Sequence, residues 1–389
     1  MLLIKTAFKN ILGGGIRTWL NVAVLSFTFV IIVWVNGITD GWVQESRRET
    51  IAWETGQGQF WMPEYDRYDM FSLPDAHAII PEVYQQGMTA RELTPVLVVQ
   101  GTAYPGGGRS INVQLKGIPA GQTAVKLPTE SLADGEEPGA LIGKRMARAA
   151  GLAEGDYLMI RWRDRQGAFD ARQVRIAGIF DTKVAAVDNG QLWLDLDQLR
   201  QMTDMKGEAT YLIHTAESGW TADSPWELKD VSFLTADLDE MVAANRIEMV
   251  IVFIILLSVA LLAVFDTQTL SIFRRQKEIG TYVALGMTQK QVTALFTWEG
   301  TAYSLLAIVG GAVWGVPMLM WLAKTGMRMP ELIEDTGLAI GNVIYPVYTL
   351  SSVVCTILVI VCMSALISYL PARKISKQNI VLSLKGKIV

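Results

Sequence analysis

The chain has 389 residues, of which 51% are hydrophobic and only 19% are charged. A soluble domain usually has about 25% charged residues, so this composition indicates a membrane protein with a large soluble insert. The 34 glycines follow no three-residue period and the apolar content is high, which excludes a collagen-like or a disordered chain. The two cysteines, Cys355 and Cys362, are too far apart along one apolar stretch to form a disulfide, and we expect both to be small core residues.

Four apolar stretches are long enough to cross a membrane as helices, which takes about 20 mostly apolar residues. They cover residues 19–39, 246–273, 296–322 and 347–370. The first stretch follows a basic segment, as in a secretory signal peptide. Its apolar run is longer than the core of such a signal, and no A-x-A site closes it. We therefore interpret it as an uncleaved anchor.

Basic residues in the connections predict the orientation of the four spans. The N-terminal segment, the connection between the second and third spans, and the C-terminal tail hold 12 of the 34 basic residues and one of the 38 acidic residues. With four crossings all three fall on one side, so both termini are predicted to be cytoplasmic, in the inner membrane of a bacterium. The predicted organisation is an N-terminal cytoplasmic segment (1–18), an extracytoplasmic domain (40–245), a cytoplasmic loop (274–295), an extracytoplasmic loop (323–346) and a cytoplasmic tail (371–389), separated by the four spans.

The remainder of the chain carries 22 basic and 37 acidic residues, nearly all of them on the predicted extracytoplasmic part. A nucleic-acid-binding domain would need a basic soluble surface, so we expect no nucleic-acid partner. The basic segments are better explained by contact with anionic membrane lipids.

Alternating hydrophobicity and turn residues predict an α+β fold for the extracytoplasmic domain. A helix continues out of the first span over 41–53, and two strands at 93–104 and 110–118 are joined by a glycine-rich turn. A strand enters a helix over 140–152, where Gly151 suits the position after the helix. Further elements are predicted as strands at 56–66, 156–164, 171–182 and 191–196 and a helix at 196–202. Six tryptophans of this domain are interpreted as core or membrane-interface residues, with an aromatic pocket for an acyl chain as the alternative. They are Trp53, Trp61, Trp162, Trp193, Trp220 and Trp226.

The sequence contains no motif for an enzyme. It has no G-x-x-x-x-G-K-[ST], G-x-S-x-G or H-E-x-x-H pattern, and its two histidines have no cysteine nearby to complete a zinc site. The pair Glu136 and Glu137 is interpreted as a solvated loop. We therefore predict no catalytic residue, no metal ligand and no cofactor held by this chain.

Polar residues in the spans leave two interpretations open. Asp266 and Glu299 lie near the cytoplasmic ends of the second and third spans, where a carboxylate serves either an interfacial structural role, paired with Arg274, Arg275 or Lys290, or a role in coupling. The third span also carries small residues at helical spacing. That face favours close helix packing, either within the chain's own four helices or with a second copy. Its members are Gly300, Ser304, Ala307, Gly311 and Gly315.

The cytoplasmic loop between the second and third spans is basic and amphipathic, with Gly280 and Gly286 expected to break or bend it. The pattern predicts a short helix that lies against either a cytoplasmic partner or the membrane surface. It reads RRQKEIG at 274–280 and ALGMT at 284–288, and the sequence PAR at 371–373 follows the last span. These motifs, and the order of one span, a large domain and three more spans, resemble the FtsX-like and MacB-like permeases, the type VII ABC transporters. Residues 140–182 are most similar to the lipoprotein-releasing (Lol) permeases.

The resemblance implies a function. Such permeases dimerise, as homodimers or heterodimers, and bind separate ABC ATPase subunits that hold the ATP. The resemblance of the loop motifs implies that the ATPase is contacted by Glu278, Ile279, Gly280, Leu285 and Gly286. Closure of the ATPases moves the extracytoplasmic domain, which releases a lipoprotein from the membrane in the Lol type. The alternatives are a mechanotransmission efflux permease, and a regulatory permease that activates an exported partner such as a cell-wall hydrolase. A domain of about 200 residues favours transport over regulation.

Overall fold

The computed structural model describes residues 15–133, 137–215, 220, 222–223, 225–328 and 343–376. Glu136, nearly all of the N-terminal segment, and parts of the 323–346 loop and of the tail lie outside the described residues.

In chain order the helices are α1 (Gly15–Thr50), α2 (Gln85–Thr89), α3 (Lys144–Ala150), α4 (Ala185–Asp188), α5 (Leu196–Thr203), α6 (Val231–Leu234), α7 (Ala236–Arg274), α8 (Gln276–Ala284), α9 (Gln289–Thr325) and α10 (Leu350–Ser376). The strands are β1 (Gln59–Trp61), β2 (Ala78–Ile79), β3 (Leu93–Gly106), β4 (Arg109–Ile118), β5 (Gly139–Gly143), β6 (Tyr157–Arg163), β7 (Phe169–Phe180), β8 (Gln191–Asp195), β9 (Glu208–Ala209), β10 (Tyr211–His214), β11 (Glu227–Lys229), β12 (Met327–Arg328) and β13 (Val343–Ile344).

The chain divides into two compact units. The helical unit comprises the chain up to residue 42, residues 242–328 and the chain from residue 343 onward, and the α+β domain comprises residues 43–241. In the described part of the chain, four helices are long and apolar enough to cross a membrane, namely α1, α7, α9 and α10. The predicted fold class, four membrane helices with a large α+β domain, is confirmed.

Helix α1 is the most enclosed of the four. Its most apolar stretch is 50% buried within the protein, against at most 22% for the other three. Leu25 packs in one cluster with residues of α7 and α9, and Val30 packs in a second cluster with residues of α7, α9 and α10. The other three helices therefore leave wide apolar faces open, as expected for helices in contact with lipid.

Both cysteines lie on such an open face. Cys355 and Cys362 are exposed on α10, so the prediction that they are core residues is wrong. Their position in an apolar stretch does not distinguish a core residue from a lipid-facing one, because a helix in a bilayer is apolar toward lipid as well as toward protein.

Six strands of the α+β domain form a closed barrel. Its order is β3-β4-β8-β5-β7-β6, and residues 101–104 of β3 close the ring by pairing with 159–162 of β6. The strands β10, β1 and β11 extend the sheet from the other half of β3. The predicted hairpin of β3 and β4 is confirmed, as is Gly151 after α3, where its φ of +71° suits a residue without a Cβ.

Two apolar cores stabilise this domain. One fills the barrel, and the other joins the barrel's outer face to β1, β10 and the neighbouring loops. Four of the six tryptophans are buried in these cores, which confirms their interpretation as core residues. They are Trp61, Trp162, Trp193 and Trp226.

Candidate coupling site

The loop between the second and third spans forms a short helix, α8, held between two defined ends. The helix starts after Arg275, directly behind α7, and ends at Ala284. Gly286 then turns the chain with a φ of +97°, a conformation that favours glycine. Thr288 caps the next helix, since its hydroxyl accepts a hydrogen bond from the Gln291 backbone N–H at 3.4 Å while the Gln291 side chain accepts one from the Thr288 backbone N–H at 2.8 Å. Gly280 lies inside α8, so of the two glycines only Gly286 interrupts the helix.

One face of α8 is buried against the chain's own helices. Ile279 is 5% exposed and belongs to a cluster with Ile272, Val292, Phe296 and Ala372. The other members lie on α7, α9 and α10, so Ile279 packs α8 into a cluster that these three helices share. The neighbouring Gly280 is buried as well.

The opposite face of α8 is exposed and carries one large apolar side chain. Leu285, directly after the helix, is 79% exposed. The polar and small residues of the same face repeat at helical spacing, and we call them, together with Leu285, the exposed α8 face. Its members are Lys277, Glu278, Thr281, Ala284 and Leu285.

The structure therefore divides the five predicted ATPase-contact residues into two groups. Glu278, Leu285 and Gly286 are exposed, whereas Ile279 and Gly280 are buried within the helical unit. The first group is available to an external partner. The second group determines how α8 is attached to the bundle.

Arg275 connects α8 to α9 by charge. Its Nε donates to the Glu278 carboxylate at 2.7 Å, and its Nη1 donates to both carboxylate oxygens of Glu299, at 3.0 and 3.1 Å. The guanidinium also lies 5.2 Å from the centre of the Phe296 ring. Burial opposes the charge of the guanidinium, but its bonds to the two carboxylates outweigh that effect and raise the pKa of Arg275.

The sequence leaves the partner of each carboxylate open, and the structure identifies a partner for one of them. Glu299 is buried on α9 and pairs with Arg275. Asp266 is exposed on α7 and has no ion pair with any residue that the structure describes. The sequence does not show that one arginine, Arg275, bonds both Glu278 and Glu299, which are 21 residues apart in the chain.

The small-residue face of α9 packs inside the chain's own helical unit. Ser304 and Ala307 are buried, and a Cβ on Gly300 would overlap Ser368 on α10. A Cβ on Gly311 would lie 2.9 Å from the Phe29 side chain, and one on Gly315 would lie 2.5 Å from Val30. Both of these contacts are with α1. The close approach that this face permits is thus used within the chain, and the face is not free for a second copy.

Comparison with known proteins finds a family match over the helical unit. Residues 249–380 match the family described as FtsX-like permease C-terminal. This segment contains most of α7 and all of α8, α9 and α10, and so includes the candidate coupling site.

Two curated relatives and one solved structure are similar to parts of the chain. The lipoprotein-releasing system transmembrane protein LolC of Xylella fastidiosa strain Temecula1 is 21% identical over 253 residues, 59% of this chain and 60% of that protein. An uncharacterized ABC transporter permease of Methanocaldococcus jannaschii is 24% identical over 233 residues, 56% of each chain. The chain thus spans a little over half the length of the curated relatives it matches. The periplasmic region of MacB from Actinobacillus actinomycetemcomitans covers 50% of this chain and 98% of its own, with a TM-score of 0.34 and 11% identity.

Proposed function

We propose that this chain is a permease of the FtsX-like and MacB-like (type VII) ABC transporters, and that it couples ATP hydrolysis by a separate ABC ATPase subunit to movements of its α+β domain. The observation that carries the proposal is the exposed α8 face with Leu285 at its end. An exposed apolar side chain with polar residues around it has the arrangement of an interface with an apolar centre and a polar rim. Since the sequence has no phosphate-binding loop, the ATP is held by the partner.

The attachment of α8 supports transmission of a movement into the membrane helices. Ile279 belongs to a buried cluster with residues of α7, α9 and α10, while Arg275 pairs with Glu299 on α9 at the start of α8. A partner that displaces the exposed α8 face therefore displaces several helices together. We expect α1 and α7 to carry the movement onward, because each is an unbroken helix from the helical unit into residues of the α+β domain.

We further propose that the transported substrate is a lipoprotein released from the membrane. This finer assignment is supported by the similarity to LolC, at 21% identity. The alternative is a mechanotransmission efflux permease, which the similarity to the Methanocaldococcus jannaschii permease also fits. The α+β domain of about 200 residues favours either transporter over a regulatory permease that activates a cell-wall hydrolase.

The proposed orientation has both termini in the cytoplasm of a bacterial cell and the α+β domain outside the inner membrane. Its support is the distribution of basic residues. In a variant without native cysteines, single cysteines are introduced at Gln166, exposed in the α+β domain, and at Lys290, exposed at the start of α9. An impermeant thiol reagent applied to cells with a permeabilised outer membrane is expected to label position 166 and spare position 290. The reverse pattern would overturn the orientation.

The experiment that tests the proposed function is purification of the tagged chain from native membranes, followed by identification of bound proteins. We expect an ABC ATPase in a fixed ratio to the chain, together with a second permease copy. A similarly tagged, unrelated inner-membrane protein is the control. Enrichment of a lipoprotein chaperone would favour lipoprotein release, a periplasmic adaptor would favour efflux, and a hydrolase would favour the regulatory function. If no ATPase is recovered even after crosslinking in intact membranes, the proposal fails.

A further inference from the structure

A buried lysine lies on the outer face of the barrel in the α+β domain. Lys116 is on β4, opposite Val98 of β3 and Trp193 of β8. Because side chains alternate along a strand, Leu115 points into the barrel core while Lys116 points toward the layer that covers the barrel. The residue is only 3% exposed, and its ammonium lies 5.1 Å from the centre of the Trp193 ring.

The ammonium of Lys116 has no hydrogen bond or ion pair with any described residue. Burial lowers its pKa to about 8. The carboxylate of Glu54 lines the same cavity, but it pairs with Arg67 at 3.3 Å. Its contact with the Trp193 ring is a cation–π interaction, which leaves the hydrogen-bonding capacity of the ammonium unused. Burying such a group is costly, and groups with a perturbed pKa are concentrated at binding and catalytic sites.

Lys116 borders a cavity of 330 Å³. The side chains of Arg67, Glu54 and Lys116 bring two cations and one carboxylate to it, so its net charge is positive. Gln191 on β8 also lines the cavity; it is 6% exposed, and its side-chain carbonyl oxygen accepts no hydrogen bond from the described residues. The aromatic residues on its wall are Trp61, Tyr65 and Tyr211.

We propose that this cavity binds a small oxyanion, a carboxylate or phosphate group paired with Lys116 and Arg67, on a molecule that donates a hydrogen bond to Gln191. The volume lies at the small end of the range for ligand pockets, about 300–1,000 Å³, so the ligand is a small molecule and not a protein segment. The aromatic wall suits an apolar portion of that molecule. This site is separate from the ATPase contact and does not depend on the proposed function.

The test uses the full chain in lipid nanodiscs, with inorganic phosphate and acetate as probes and chloride at equal ionic strength as the reference. Phosphate, acetate or both are expected to raise the thermal unfolding midpoint by about 2–4 °C. This rise is expected to disappear in Lys116→Met and to weaken in Arg67→Gln. Lys206→Met, which alters an exposed lysine of the same domain, is the matched control and should retain the full rise. The probe that acts identifies which oxyanion the site accepts.

A second measurement follows the lysine directly in the wild-type protein. Reductive methylation of Lys116 at pH 8, quantified by peptide mass spectrometry, is expected to slow by about tenfold when the probe occupies about 90% of the sites. Methylation of Lys206 should not change. The proposal is overturned if neither anion protects Lys116 and the midpoints of wild type and Lys116→Met respond equally to salt.

Discussion

Replacing Leu285 by aspartate tests the exposed α8 face without disturbing the fold. The side chain is 79% exposed, so the substitution removes almost no internal contact. Surface changes of this kind usually alter the free energy of unfolding by no more than about 0.5 kcal/mol. Any loss of ATPase binding can then be assigned to the interface.

The magnitude follows from the area that Leu285 offers to a partner. Complete burial of a leucine side chain contributes about 1.5–3 kcal/mol, and each 1.4 kcal/mol changes the affinity about tenfold. Loss of this contact weakens binding by roughly 10-fold to 100-fold. An aspartate forced into an apolar pocket adds a desolvation cost, so the upper end of this range is expected.

The assay is titration of the purified ATPase onto the chain held in nanodiscs, with the dissociation constant as the readout. Leu228→Asp on β11 is the matched control, because it places the same charge on an exposed leucine of the α+β domain and should not change the affinity. Ile279→Asp should instead lower the unfolding midpoint, because it places a charge in a buried cluster. An unchanged dissociation constant for Leu285→Asp would refute the proposed docking surface.

Three further comparisons, which use five substitutions, test the internal structure through thermal unfolding in nanodiscs. Arg275→Gln removes the ion pair between the arginine and the buried Glu299 carboxylate and should destabilise the protein by about 1–3 kcal/mol, while Glu299→Gln should cost less because the arginine keeps its bond to Glu278. Gly300→Ala should cost about 1–3 kcal/mol by overpacking against α10, whereas Gly310→Ala, with its nearest neighbouring atom at 3.9 Å, should be neutral or stabilising. Lys116→Met should stabilise the protein by about 3 kcal/mol at pH 7.

The expected pH dependence of the last variant follows from the direction of the pKa shift. Folding lowers the pKa of Lys116 from 10.5 to about 8, so between these values the unfolded chain binds more protons than the folded one. The stability contributed by this residue therefore rises with pH in that window, and the advantage of Lys116→Met should shrink between pH 8 and pH 10. A constant difference between variant and wild type would contradict the buried charge.

The ion-pair comparison and the glycine comparison each have an outcome that would contradict the structural interpretation. If Arg275→Gln and Glu299→Gln destabilise the protein equally, the Glu299 carboxylate does not depend on Arg275 more than Arg275 depends on Glu299. If Gly300→Ala leaves stability unchanged but disrupts dimerisation, the small-residue face serves an interface between copies after all. Gly310→Ala separates that outcome from a general effect of adding a methyl group to α9.

Much of the fold follows from local signals in the sequence. The four spans are fixed by the length of the apolar runs, and the β3–β4 hairpin by alternation on either side of a glycine-rich turn. Closure of the barrel could not be predicted, because residues 101–104 and 159–162 pair across more than 50 positions and no short-range pattern records that contact.

In the coupling site, too, the local pattern predicts the helix, whereas burial depends on contacts between residues far apart in the chain. The amphipathic pattern predicts a helix in the 274–295 loop, but not which apolar residue is buried. Ile279 and Leu285 are both large aliphatic residues, yet only Ile279 belongs to the buried cluster with residues of α7, α9 and α10. Lys116 was likewise not identified, because its burial depends on the layer that covers the barrel.

ATP hydrolysis by reconstituted components tests the central claim most directly. The purified chain alone is expected to hydrolyse no ATP, because its sequence lacks a phosphate-binding loop. Hydrolysis by the separate ATPase should change several-fold when it is reconstituted with the wild-type chain and return to its basal rate with Leu285→Asp. Hydrolysis by this chain alone that survives further purification, or an ATPase rate that is indifferent to the chain, would contradict the account.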